Sequence, residues 1–185
     1  MNIDPIRGVV EGVRFVPSPN CDRRPQGARI SLLVVHGVSL PPGHFGGPWV
    51  EDLFCGRLDA SAHPYFEKIK DLRVSCHLWM RRDGALAQYV SFRDRAWHAG
   101  ESCFEGCERC NDFSIGVELE GADEVPYEPV QYAVLAELAR GLMDVYPGIT
   151  PARIAGHSDI APGRKSDPGS AFDWERLRRL LGGRA

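Results

Sequence analysis

One stretch of the chain, Gly156-His157-Ser158-Asp159-Ile160-Ala161-Pro162-Gly163-Arg164-Lys165-Ser166-Asp167-Pro168-Gly169, gathers side chains that do chemistry and few that build a core. It carries an imidazole, two carboxylates and an ammonium among prolines and glycines, a composition that predicts a loop. Imidazole nitrogen and carboxylate oxygen are the ligands a catalytic zinc takes, with one coordination position left to water. Lys165 lies two residues before Asp167. In an extended segment residues two apart point to the same side, so a cation can stand beside a metal without ligating it. The plainer reading is a solvated loop with a surface ion pair. Short motifs match by chance often, and these residues alone do not decide between the two.

Two further groups qualify by their setting. Ile30-Ser31-Leu32-Leu33-Val34-Val35-His36 is a short apolar run bounded by turn residues, which predicts a strand buried on both faces. His36 stands at its C-terminal end, before Gly37, where α/β sheets place their ligands; the alternative is a strand-end histidine bonded to a loop carbonyl. Asp112-Phe113-Ser114-Ile115-Gly116-Val117-Glu118-Leu119-Glu120-Gly121 alternates, with Phe113, Ile115, Val117 and Leu119 on one side and Ser114, Gly116, Glu118 and Glu120 on the other. Glu118 is therefore held on a strand; taken alone, it reads equally as a solvated side chain. Trp97-His98, before Ala99-Gly100, suits either a wall for sugar or peptide or ordinary aromatic packing.

The elements that must position these groups follow from the remaining pattern. Residues 1–12 read as an irregular lead-in, with a short strand within Val13–Val16 and a core spanning about 13–181. Short helices are predicted over 48–54 and 64–70. Asp83-Gly84 between the runs 74–82 and 85–92 predicts a hairpin with a type I′ turn. Residues 128–146 form the clearest helix, with an apolar stripe of Val130, Val134, Leu135, Leu138, Leu142 and Val145. A last helix spans 173–181, with Asp173 as its N-cap and Gly182 past its end. Strands and helices are intermixed without repeats. The expected class is α/β (α+β): a single domain over 1–185 with a central mixed β-sheet flanked by helices.

Composition bounds the function. A formal charge of -3 and a pI near 6.1 give no long-range attraction to nucleic acid or anionic lipid. No signal-like h-region or membrane-spanning run is present, so a cytoplasmic chain is expected, with its six cysteines as thiols.

Ser31-Leu32-Leu33-Val34-Val35-His36, Leu40-Pro41-Pro42-Gly43-His44-Phe45-Gly46-Gly47, His63-Pro64-Tyr65-Phe66, Arg95-Ala96-Trp97-His98-Ala99-Gly100, Cys110-Asn111-Asp112-Phe113-Ser114-Ile115-Gly116-Val117-Glu118-Leu119-Glu120-Gly121 and Gly156-His157-Ser158-Asp159-Ile160-Ala161-Pro162 together resemble the AmpD-type 1,6-anhydro-N-acetylmuramyl-L-alanine amidases. These are cytoplasmic zinc enzymes of peptidoglycan recycling in the amidase_2 / peptidoglycan-recognition-protein superfamily. The likeness runs in order from about Val13 to Trp174. It implies one zinc per chain, held by His36, His157 and Asp167, with Glu118 as the catalytic carboxylate and Lys165 as the cation beside the oxyanion. It places Tyr65, Arg73, Trp97, Arg109 and Ala161 along the substrate cleft. The implied substrate is a small molecule, an anhydro-muropeptide, acted on by a monomer with neither nucleic acid nor membrane as partner. On this reading Asp159 stabilises the loop.

Four positions depart from the family pattern: Gly37 where many relatives have Asn, Gly163 and Ser166 in the last loop, and Cys107 where Arg is usual. None removes an implied ligand or Glu118. Two rival readings belong to other classes. Cys103-x₃-Cys107-x₂-Cys110 has the spacing of an iron–sulfur or structural zinc site. A metal-free module of the same fold would only recognise peptidoglycan fragments, but such modules usually lack one of the four groups His36, His157, Asp167 and Glu118.

Overall fold

A computed structural model describes residues 1–182. In chain order its strands are β1 (Ile3–Asp4), β2 (Val9–Val10), β3 (Arg14–Phe15), β4 (Cys21–Arg23), β5 (Leu32–Val38), β6 (Leu78–Met80), β7 (Leu86–Gln88), β8 (Asp94–Ala96), β9 (Cys103–Phe104), β10 (Cys107–Glu108), β11 (Ser114–Glu120) and β12 (Ile154–Gly156). Its α-helices are α1 (Trp49–Phe54), α2 (Pro64–Glu67), α3 (Pro129–Val145), α4 (His157–Ile160) and α5 (Trp174–Gly182). The main sheet has the order β12-β5-β11-β6-β7-β3. β12, β5, β11 and β6 run parallel, and β6 and β7 are antiparallel. It is the mixed sheet flanked by helices that the sequence predicts.

Side-chain parity divides the sheet into two faces. Leu33 and Val35 of β5 and Ile115, Val117 and Leu119 of β11 join one core cluster with Tyr132, Leu135, Leu138 and Leu142 of α3 and Leu177 of α5. Each such fully buried side chain contributes roughly 1.5–3 kcal/mol. The opposite face carries Leu32, Val34 and His36 of β5 opposite Ser114, Gly116 and Glu118 of β11 in parallel register. This second face is covered too. Ser114 and Gly116 are buried and Glu118 is only partly accessible, so the polar stripe of β11 is a covered floor and not a solvated surface.

Several local expectations shift. β5 extends to Val38, which moves His36 from a strand end to mid-strand and sets it directly beside Glu118 on β11. Residues 1–12 are not irregular: β1 and β2 pair antiparallel, Val10 is buried, and the Met1 amino group meets Glu137 on α3 at 3.0 Å. The predicted hairpin is β6–β7, but its turn is not type I′. Gly84 has φ +83 while Asp83 does not enter the left-handed region, and the Gly84 N–H donates to the Arg81 carbonyl. That is the longer turn with glycine at its αL position. The buried stripe of α3 is rotated from the predicted one. Gln131, Tyr132, Ala136 and Ala139 are inside and Val130 is exposed, because α5 packs on α3 and covers a second flank. Asp173 caps α5 by accepting from the Arg176 N–H at 2.8 Å, and that helix still includes Gly182.

Candidate active site

The opening loop is not wholly irregular. Gly156 ends β12, and His157–Ile160 form the single turn α4, whose His157 and Ile160 are buried. Asp159 Oδ2 accepts the Gly156 N–H at 2.7 Å, which caps the turn and occupies that carboxylate locally. The chain then returns through Lys165 and Asp167 to the same cleft.

Three ligand atoms meet there. His36 Nδ1 lies 3.0 Å from His157 Nδ1, and each lies 3.1 Å from Asp167 Oδ2. A tetrahedral zinc with bonds of 2.0–2.1 Å spaces its ligands by about 3.3 Å, so the triangle has nearly the right edge. Proton accounting favours a shared cation. His157 Nε2 lies 3.1 Å from the Ala99 carbonyl, which can only accept, so the neutral ring carries its proton there and turns a lone pair of Nδ1 toward Asp167. Lone pair against carboxylate is repulsive unless a cation lies between. A single proton serves two of the three atoms, whereas a metal ion serves all three. Burial lowers the pKa of His36 to about 4, so its ring is neutral and able to coordinate near pH 7. Among the described residues, His36, His157 and Asp167 are the group of potential ligands whose atoms lie within 4.8 Å of one another. Cys103, Cys107 and Cys110 do not form such a group. All six cysteines are free thiols.

Glu118 stands beside this triangle and outside it, with Oε1 4.0 Å from His36 Nδ1. Its Oε2 is buried and has no hydrogen-bond partner among the described residues. Burial pushes its pKa well above the usual carboxylate range, the nearby Asp167 charge adds to this, and Lys165 opposes it.

A cleft of about 460 Å³ brings together Glu118, His157, Asp167, Lys165 and Tyr65, with Gly37 in its wall. A second cleft, of about 440 Å³, is lined by Arg109, Ala161 and Arg164. It adjoins the first through α4, which carries His157 on one flank and leads into Ala161 on the other. Arg73 is exposed and Trp97 donates its indole N–H to Asp22 at 3.2 Å; neither lines these clefts. Sequence reasoning missed the working side of His98, which lies 2.9 Å from His36 Nε2, and of Tyr127. The Tyr127 hydroxyl donates to the Pro168 carbonyl at 2.9 Å, one residue past Asp167. The glycines that seat these rings were the available signal. A Cβ on Gly116 would stand 2.5 Å from the His98 ring, and one on Gly37 or Gly121 would strike Tyr127.

Comparison with known proteins finds relatives over most of the chain. The profile of the N-acetylmuramoyl-L-alanine amidase family matches residues 26–170. The 1,6-anhydro-N-acetylmuramyl-L-alanine amidase AmpD of Escherichia coli is 56% identical over 175 residues, 95% of each chain. The crystal structure of a selenomethionine AmpD derivative superposes with a TM-score of 0.94 at 54% identity, covering 98% of this chain and 99% of that one. The amidase AmiD from E. coli, solved with the substrate anhydro-N-acetylmuramic acid-L-Ala-D-γ-Glu-L-Lys, superposes with a TM-score of 0.59 at 31% identity, covering 85% of this chain and 60% of that one.

Proposed function

The chain belongs to the N-acetylmuramoyl-L-alanine amidase family, and we propose that it hydrolyses the amide between (1,6-anhydro-)N-acetylmuramic acid and the L-alanine of the stem peptide. It acts as a zinc enzyme on cytoplasmic muropeptides in peptidoglycan recycling, as a monomer built as one domain. The observation that carries this reading is the triangle of His36, His157 and Asp167 beside Glu118, whose Oε2 has no hydrogen-bond partner among the described residues, with His157, Asp167 and Glu118 lining one cleft. High identity to AmpD over nearly the full length of both chains supports the substrate class, as does the muropeptide fragment held by AmiD. Free thiols fit a reducing compartment, and no helix among the described residues is long and apolar enough to cross a membrane.

Two neutral imidazoles and one carboxylate would hold the zinc with a net charge of +1. The bound ion supplies a water of lowered pKa and polarises the substrate carbonyl. The remaining work falls to the protein. Glu118 takes the proton of the attacking water and later delivers it to the departing alanine nitrogen, which must be protonated because an amide anion is a poor leaving group. A carboxyl held above its ordinary pKa by burial is suited to keeping that proton between the two steps. Lys165, on the exposed rim of the cleft, offsets negative charge developing on the carbonyl oxygen. Tyr65 lines the first cleft and Arg109 and Ala161 line the second, which supports reading them as substrate contacts. For Arg73 and Trp97 that role rests on the resemblance alone.

The test is incubation of the full chain with anhydro-muropeptides, with and without a chelator, read by mass spectrometry. The expected products are the anhydro-sugar and a free peptide beginning with L-Ala, lost on chelation and restored by zinc. Intact substrate bound equally with and without zinc would instead identify a recognition module.

A further inference from the structure

The two imidazoles of the triangle are both anchored from one dipeptide. His36 Nε2 lies 2.9 Å from His98 Nδ1, and His98 Nε2 lies 3.2 Å from Ser114 Oγ. His157 Nε2 lies 3.1 Å from the carbonyl of Ala99, the next residue. The backbone N–H groups of His98 and Ala99 both donate to Asn111 Oδ1, at 3.2 and 2.8 Å. Two backbone donors converging on one amide atom identify it as the oxygen. The His98 ring packs directly against Gly116, where no Cβ would fit. His98 and Ala99 are buried, and no hydrogen bond joins Asn111 to a ligand of the triangle.

We propose that Asn111, His98 and Ala99 form a positioning clamp that sets the tautomer and the aim of both imidazole ligands. The proton assignment has one consistent solution. For His36 to present a lone pair at Nδ1, its proton must sit on Nε2, where His98 Nδ1 accepts it. His98 then carries its own proton on Nε2 and gives that bond to Ser114 Oγ. On the other imidazole the Ala99 carbonyl fixes the proton on Nε2 in the same sense. Both rings therefore turn bare Nδ1 atoms to the metal position, and the reverse tautomer of His36 would drive a proton into the triangle. Asn111 acts through the backbone, because losing its two bonds frees the segment that carries both anchors. Outer partners of this kind typically alter metal affinity 10–100-fold.

This inference rests on the metal-site reading, and the experiment separates the two. Zinc affinity of the full chain is measured by competition with a chromophoric chelator. The visible spectrum of the cobalt-loaded protein reports ligand geometry, and a melt of the chelator-treated protein reports folding. His98→Phe keeps a ring of similar size but removes the acceptor, whereas His98→Asn keeps an acceptor near the Nδ1 position. Asn111→Ala removes the clamp oxygen and Asn111→Asp retains it. His98→Phe and Asn111→Ala are expected to bind zinc 10–100-fold more weakly with an altered cobalt spectrum, and the Asn and Asp variants to recover most of the loss. If His98→Phe does not fold, the Asn111→Ala and Asn111→Asp pair carries the test. Tight zinc binding by the wild type and equally by Asn111→Ala, with one cobalt spectrum for both, overturns the clamp alone. A wild-type chain that takes up no zinc overturns the metal reading and the clamp with it.

Discussion

Replacing Glu118 by glutamine is the sharpest test of the chemistry. The change keeps the size of the side chain and removes one charge. Glu118 lies outside the ligand triangle, and its charge works against Asp167. Because all three proposed ligands are untouched, Glu118→Gln should keep its zinc. Turnover should fall by about 10²–10⁴, the usual worth of a general acid–base group, or roughly 3–5.5 kcal/mol of barrier. The same substitution has a stability signature in the chelator-treated protein. The folded-state pKa of Glu118 is raised above the ordinary 4.5, so the folded chain holds the proton more tightly than the unfolded one. Wild-type stability then falls as pH rises from about 4.5 to the folded pKa, at most by about 1.4 kcal/mol per pH unit. The glutamine variant lacks this loss, so it should melt above the wild type at neutral pH, with the gap closing below pH 4.5. The assays are steady-state release of the L-Ala peptide, metal analysis and thermal melts at several pH values. Turnover within tenfold of wild type in a folded, zinc-loaded variant would refute the assigned role.

Other substitutions probe separate parts of the site. Asp167→Ala leaves two imidazoles on the triangle, so metal analysis should find no stoichiometric zinc; a full equivalent would reassign the ligand. Lys165→Ala should lower kcat by about 10²–10³ with a much smaller change in KM, and a pure KM effect would make it a binding residue only. Gly37→Ala would place a Cβ 2.2 Å from the Tyr127 hydroxyl, which holds the Pro168 carbonyl beside Asp167. The expected result is a loss of about 1–3 kcal/mol in a melt together with weaker zinc binding, and an unchanged melt would show that Tyr127 moves aside freely.

Much of the site was legible in the sequence because its groups carry local signatures. His157 and Asp167 stand in a stretch too rich in glycine, proline and charge to form a core. Glu118 is fixed on a strand by the alternation of Phe113 to Glu120, and His36 follows an apolar run typical of a buried parallel strand. Matching the ordered motifs to a family supplied the roles. What remained hidden depends on pairing between distant segments. Alternation shows that Glu118 and Phe113 face opposite sides but cannot show that the polar side is roofed, nor that Glu118 pairs in register with His36. The lead-in looked irregular because strands as short as β1 and β2 have no period to read, and they are held by contact with α3. His98 read as a packed neighbour of Trp97, because its partners His36, Ser114 and Gly116 lie 62, 16 and 18 positions away in the chain.

The amino-acid sequence by itself thus determined the candidate ligand types, the strands and loops that bear them, and the family. Only the tertiary structure decided that the Nδ1 atoms of His36 and His157 both meet Asp167, that a largely covered Glu118 stands beside them, and that His98 and Ala99 each contact one of the two histidines. Local periodicity sets the direction of a side chain. Which other side chain it meets is set by strand order and register, which are fixed by burial summed over the whole sheet.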